Sequence, residues 1–268
     1  MTNSLLTTLQ ETRAAGRMAL CGYFLAGYPT PERFYRAVRA SSMLDVIEYG
    51  IPADNPTLDG AVISRAHEIV TGERGLGAET ALALIGGLRE IRPPGFVMTY
   101  SRVGRELDGF LRLCLMNGLH GMLAPDMDED EIRTLSTIMR ALNLAVVKLV
   151  DARADDDSLE RGIRLADVVY LKAAPGRTGT PAEIEGDLQA VIDSSIRRIR
   201  ALQPHLPIAV GIGIQRPDQV AALAALGVDM VVIGTRLVER VTEDEGALVA
   251  YLQTLRAATP YPNSIHSN

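Results

Sequence analysis

Eight short apolar runs recur along the chain, each followed by a longer stretch with helical spacing. The runs are ALCGYFLAG (19–27), DVIEYG (45–50), GFVMTY (95–100), HGMLAPD (120–126), AVVKLVD (145–151), DVVYLKA (167–173), PIAVGIG (207–213) and DMVVIGT (229–235). They are almost continuously apolar, as strands covered on both faces must be. The stretches PERFYRAVRASS, DEDEIRTLSTIMRALN, RPDQVAALAALG and EGALVAYLQTLRAA read as the amphipathic helices that follow the first, fourth, seventh and eighth runs. Strands alternating with helices predict a parallel sheet. Eight such units in about 250 residues predict an α/β fold of the (β/α)8, or TIM, barrel type. A doubly wound open sheet is the other arrangement, but eight units without a linker or compositional break favour the closed barrel. An extra N-terminal helix is expected to plug the barrel bottom. The stretch 61–92 carries two helical patterns, so an extra helix should follow the second strand. The expected organisation is one barrel domain over residues 1–268, frayed from 260 onward.

Composition narrows the function classes. A 47% hydrophobic content over 268 residues supplies a large core. The formal net charge of −6 argues against a nucleic-acid binder, which would more often be basic. Arg197, Arg198 and Arg200 form the one basic cluster and read as a solvated helix end. Cys21 and Cys114 lie far apart, each in an apolar run, which fits a reducing cytoplasm without a disulfide. The N-terminus lacks the basic start, apolar middle and cleavage site of a signal peptide. No run reaches the roughly 18 residues of a membrane span. A cytoplasmic protein is the expectation.

The active site of such a barrel lies at the C-terminal ends of the strands. Polar residues at those ends are Glu48 and Asp59 after the second strand, Tyr100 after the third, Asp126 after the fourth, Asp151 after the fifth and Tyr170 late in the sixth. Glu48 alternates with Val46, so if Val46 fills the interior Glu48 points into the barrel mouth. An apolar setting would raise its pKa and fit it for proton transfer near neutral pH; the other reading is a structural carboxylate paired with a Lys or Arg. Asp59 ends a loop stiffened by Pro52 and Pro56, and read alone it could be the N-cap of AVISRAHEIV. Three glycine-rich turns, PGRTG (175–179), GIG (211–213) and GT (234–235), occupy consecutive barrel positions. Glycines let backbone N–H groups approach a phosphate closely at helix starts, so these turns predict a phosphate cup with Thr235 adding a hydroxyl. His67, His120, His205 and His266 show neither metal-ligand spacing nor pairing with a nucleophile. Lys148 and Lys172 lie in apolar strands; Schiff-base chemistry is one reading and an ion pair in or around the barrel the other.

Together these stretches resemble the tryptophan synthase alpha chain family. GYFLAGYPTPE is similar to its first strand and turn, EYGIPADNPTLDG to its hallmark, PGRTGTP to its mobile loop, and GIGIQRPDQV and VVIGTRLV to its phosphate turns. The resemblance implies a lyase that splits indole-3-glycerol phosphate into indole and glyceraldehyde 3-phosphate, with neither metal nor organic cofactor. It implies Glu48 as the acid-base and Asp59 as the partner of the indole N–H. Tyr170 would lie beside the substrate near Asp59, Tyr23 and Tyr100 would line the indole pocket, and Thr178 and Gly179 would close over the site. Gly179, Gly213, Gly234 and Thr235 would hold the phosphate, with Gly211 a further substrate-binding residue of the seventh turn. It also implies a pyridoxal-phosphate-dependent beta chain as partner in an alpha2-beta2 type complex. ADNP stands where the family has Phe-Ser-Asp-Pro, so Asn55 replaces an aspartate that helps couple alpha to beta chains. A stand-alone lyase releasing free indole is therefore an alternative. A catalytically silent barrel serving as a binding or regulatory partner is another, and the retained Glu48 and Asp59 argue against it.

Overall fold

All eight apolar runs form strands in the computed structural model: β1 Ala19–Leu25, β2 Val46–Gly50, β3 Gly95–Met98, β4 Gly121–Leu123, β5 Ala145–Asp151, β6 Val168–Lys172, β7 Ile208–Gly211 and β8 Met230–Ile233. They pair in parallel in chain order, and β8 closes on β1. The structure describes residues 2–101, 107–172, 186–211 and 213–262. Its helices are α1 Ser4–Ala14, α2 Pro31–Ala40, α3 Ala61–Glu68, α4 Ala78–Gly86, α5 Leu107–Met116, α6 Glu129–Ala141, α7 Asp156–Leu165, α8 Gly186–Leu202, α9 Pro217–Ala225, α10 Thr235–Val241 and α11 Glu245–Arg256. A π-helical turn, Ile69–Glu73, continues α3, and α4 is the additional helix expected after the second strand. Among the described residues no helix is long and apolar enough to cross a membrane.

The strands are apolar throughout because both faces are buried. Cys21, Val46, Phe96, Val147, Val168, Ala209 and Val232 fill the barrel interior. Leu20, Ile47, Val97, Val146, Val169, Val210 and Val231 pack outward in the core shared with the helices. From below, Leu5 and Leu9 of α1 join the interior cluster, so the helix plugs the barrel as its position predicts. Asn3 caps α1 through its side-chain oxygen, and its Nδ2 donates to the carbonyls of His120 and Asn143 at 2.7 Å each, fixing the plug to the floor.

The bottom follows a repeated rule. The residue just before each even-numbered strand accepts an N–H at the start of the preceding odd-numbered one. Asp45 takes Leu20 at 2.9 Å, His120 Nδ1 takes Gly95 at 3.4 Å, Asp167 takes Val146 at 2.9 Å and Asp229 takes Ile208 at 2.8 Å. Arginines meet the three aspartates: Arg17 and Arg256 on Asp45, Arg140 on Asp167, Arg13 and Arg200 on Asp229. Arg200 is thus part of the floor, and Arg198 donates to the Ala154 carbonyl; of the basic cluster only Arg197 is a solvated helix residue, paired along α8 with Asp193. Pro260 bridges to Arg17, and the buried Tyr261 donates to the Val228 carbonyl at 2.8 Å, so the tail starts packed; 263–268 lie outside the described residues.

Candidate active site

Strand alternation carries Glu48 into the mouth. It pairs in register with Tyr23 on one side and Phe96 on the other. Only 4% of Glu48 is exposed. Burial, followed by the nearby charge of Asp59, pushes its carboxyl up to about 8. Among the described residues no lysine or arginine pairs with it, as the reading of a salt-bridged structural carboxylate would require. A carboxyl in this state can give a proton at neutral pH and accept one back.

Asp59 reaches the same cavity from the loop after β2. The Ile51 N–H donates to Met98 at 2.9 Å, prolonging the strand, and the Asp59 N–H donates to Pro56 at 3.2 Å. Gly60, not Asp59, is the N-cap of α3, and no side chain caps that helix. The Asp59 carboxylate instead turns inward and is 2% exposed. The Tyr100 hydroxyl donates to Asp59 Oδ2 at 2.8 Å and accepts the Leu58 N–H at 3.3 Å, clamping the loop end twice. His67 Nε2 lies 3.5 Å from the same oxygen. The sequence reading set His67 aside with the other histidines. Its one signal is its place with Ile63 and Ala66 on the buried face of α3.

Tyr23 and Tyr170 each lie over a glycine of the adjacent strand. A Cβ on Gly50 would lie 2.1 Å from the Tyr23 hydroxyl, and one on Gly211 would lie 2.1 Å from that of Tyr170. Each ring therefore needs a glycine at the end of the adjacent strand. Burial raises both phenols, which stay neutral. Gly211 makes room for Tyr170 in this way and does not itself line the cavity.

The cavity holds about 630 Å³, its open mouth included, and Tyr23, Glu48, Asp59 and Tyr170 line it. Leu58, Ile63, Met98, Leu123 and Leu149 make it apolar, a lining suited to a flat aromatic ring. Gly213, Gln215, Gly234 and Thr235 form another part of its wall. Gly213 has φ +87, a conformation that favours glycine. Gly234 and Thr235 open α10, whose first N–H groups have no partner within the helix. Tyr100 stands behind Asp59 and faces a neighbouring cleft instead of the cavity. Thr178 and Gly179, with the whole 175–179 turn, lie outside the described residues.

The remaining candidates have local roles. Asp126 accepts the Ser101 N–H and hydroxyl, and Asp151 accepts the Arg153 N–H at 2.8 Å. Lys148 alternates with the inward-facing Val147 and Leu149, so it points away from the interior into a cleft shared with Glu129 and Arg161. That placement removes it from the site. Lys172 ends β6 in register with Asp151 and Gly211 and does not line the cavity.

Comparison with known proteins agrees with this fold. The family model described as tryptophan synthase alpha chain matches residues 9–260. The tryptophan synthase alpha chain of Halorhodospira halophila is 32% identical over 257 residues, covering 92% of this chain and 90% of its own. That of Rippkaea orientalis is 29% identical over 260 residues, covering 93% and 95%. A tryptophan synthase structure from Mycobacterium tuberculosis superposes with a TM-score of 0.88 at 26% identity, over 98% of this chain and 100% of that one.

Proposed function

Since this chain belongs to the tryptophan synthase alpha chain family, we propose that it cleaves indole-3-glycerol phosphate to indole and glyceraldehyde 3-phosphate, with Glu48 and Asp59 as its catalytic pair. The observation that carries this reading is the meeting of two buried carboxyl groups, in different environments, in one apolar cavity with a glycine-rich wall. The indole ring would lie among Tyr23, Met98, Leu123, Leu149 and Tyr170, and the phosphate would meet backbone N–H groups at Gly213, Gly234 and Thr235. Glu48, held as the neutral acid, gives its proton to indole C3. The Asp59 carboxylate accepts a hydrogen bond from the ring N–H and stabilises the positive charge that develops there. Glu48, now a carboxylate, takes the proton of the glycerol hydroxyl next to the ring. The C3–carbon bond breaks, its electron pair restores the indole, and the hydroxyl carbon leaves as the aldehyde. Glu48 ends protonated, as it began.

The proposed partner is a pyridoxal-phosphate-dependent beta chain that consumes the indole. A cleft of about 1400 Å³, its open mouth included, lined by Pro52, Asp54, Asn55, Tyr100 and Asp126, adjoins the Asp59 loop and supports a partner on that side. Asn55, in this cleft, favours the second reading, a lyase that works alone. The free buried Cys21 and Cys114 suit a reducing compartment such as the cytoplasm. The test is indole release from indole-3-glycerol phosphate by the purified chain, alone and with a beta chain. Release that rises strongly with the beta chain supports the synthase subunit, fast release without it supports the lone lyase, and none in either case overturns both.

A further inference from the structure

We infer that His67 is a positioning residue that aims Asp59 at the ring nitrogen of the substrate. The inference rests on the proposed lyase reading and adds to it a third side chain. His67 is fully buried, with 0% exposure. Its Nδ1 accepts the backbone N–H of Ala53 at 3.0 Å. An N–H donor requires a bare Nδ1, so the proton of the neutral ring sits on Nε2. Nε2 has no hydrogen-bond partner among the described residues, and its nearest carboxylate atom is Asp59 Oδ2 at 3.5 Å. That separation is long for a hydrogen bond, as unliganded sites often show before substrate draws the groups together. Tyr100 donates to the same oxygen at 2.8 Å, and the two rings meet edge to face with centroids 6.5 Å apart. Tyr100 and His67 thus address the same carboxylate oxygen from two sides, which fixes the direction in which the Asp59 carboxylate faces. His67 also ties both ends of the loop together, gripping Ala53 with one nitrogen and addressing Asp59 with the other.

Two amide variants separate the halves of this role. His67→Asn can keep an acceptor near Nδ1 and loses the donor near Nε2; His67→Gln can keep the donor. Positioning predicts that His67→Gln retains most of the turnover, while His67→Asn and His67→Leu lose about 10- to 100-fold in kcat with little change in KM. It also predicts that the last two bind 3-(indol-3-yl)propyl phosphate and its N-methyl analogue more nearly alike, because the N–H is read less sharply. Equal loss in the Asn and Gln variants, or equal weakening of both analogues, would overturn the inference. A readout independent of turnover is long-range proton–nitrogen NMR of the His67 ring. It should show Nδ1 bare and Nε2 protonated, with the Nε2–H resonance moving on Asp59→Asn. A protonated Nδ1, or a resonance indifferent to Asp59, sinks His67 as a positioning residue even if the wild type cleaves the substrate. A wild type that does not cleave it, with the NMR result as expected, faults the lyase reading instead.

Discussion

Replacing Glu48 by Gln should disable the enzyme and stabilise the protein, and the stabilisation should grow with pH. In the fold the carboxyl titrates at about 8, against an ordinary value of 4.5, because burial and then Asp59 oppose its charge. The folded state therefore holds the proton that the unfolded chain has released. Such a group contributes fully to stability below the unfolded pKa, and its contribution is lost as pH rises toward the folded one. Each pH unit between the two values is worth about 1.4 kcal/mol, so the whole span is worth about 5 kcal/mol. Glutamine does not titrate, so the variant escapes this loss. The difference in unfolding free energy, variant minus wild type, should rise by about 3–5 kcal/mol between about pH 5 and about pH 9. Urea denaturation followed by circular dichroism measures it, and the other titrating groups are common to both proteins and cancel in the difference. Turnover of the variant should fall by about 10²- to 10⁴-fold, the worth of a general acid-base. In the wild type kcat/KM should fall above about pH 8, as the acid form needed for C3 is lost. A stability difference that stays constant with pH would refute the buried, unpaired state of Glu48. A variant with near-full turnover would refute its role.

Three further substitutions test other parts of the site and floor. Tyr100→Phe removes the hydroxyl that holds Asp59 at 2.8 Å, and should lower kcat by about 10-fold or more, as loss of a hydrogen bond to a charged group would; steady-state kinetics check it. Gly211→Ala places a methyl 2.1 Å from the Tyr170 hydroxyl, so it should raise KM and lower kcat, with part of the loss recovered when Tyr170→Phe is added. Asp45→Asn should cost about 3 kcal/mol in urea denaturation at neutral pH while leaving indole release unchanged. Burial opposes the Asp45 charge, but Arg17, the Leu20 N–H and Arg256 outweigh it and hold its pKa below the ordinary value. Its contribution is therefore present above the unfolded pKa and fades as pH falls through the folded one, so variant and wild type should converge in acid.

The barrel was legible because the sequence repeats one physical statement eight times. A run buried on both faces carries no period-2 alternation, and each such run is followed by an amphipathic helix. Ends were less legible: β4 spans only Gly121–Leu123 of the run 120–126, since Pro125 has no N–H to donate to a ladder. Glu48 was legible as an acid inside an apolar run. Asp59 was not legible from its own surroundings, because an aspartate before a helix reads equally as a cap; only the fold shows Gly60 taking the cap and the carboxylate turning inward. Gly211 looked like a phosphate turn, and its actual neighbour, Tyr170, is visible only once β6 and β7 are paired. His67 escaped notice for the same reason. Its partners, Ala53 and Asp59, are brought to it by a loop whose path the hydrophobic pattern does not encode.

The two ends of the barrel treat carboxylates in opposite ways, and the energies explain why. On the floor Asp45, Asp167 and Asp229 each meet a strand N–H and at least one arginine. A buried carboxylate stripped of such partners costs several kcal/mol. Folded domains are stable by only about 5–15 kcal/mol. A barrel can therefore carry one or two unpaired buried acids, but not one at every strand. Glu48 is such an exception among the described residues, and the proposed chemistry accounts for its position. A guanidinium beside it would relieve the burial and lower its pKa, and the proton required at indole C3 would then be gone at neutral pH. The instability that Glu48 brings at high pH and its capacity to act as an acid at neutral pH are one property, measured in two ways. Any substitution that removes the first should remove the second, which is why the stabilised variant and the inactive variant are expected to be the same protein.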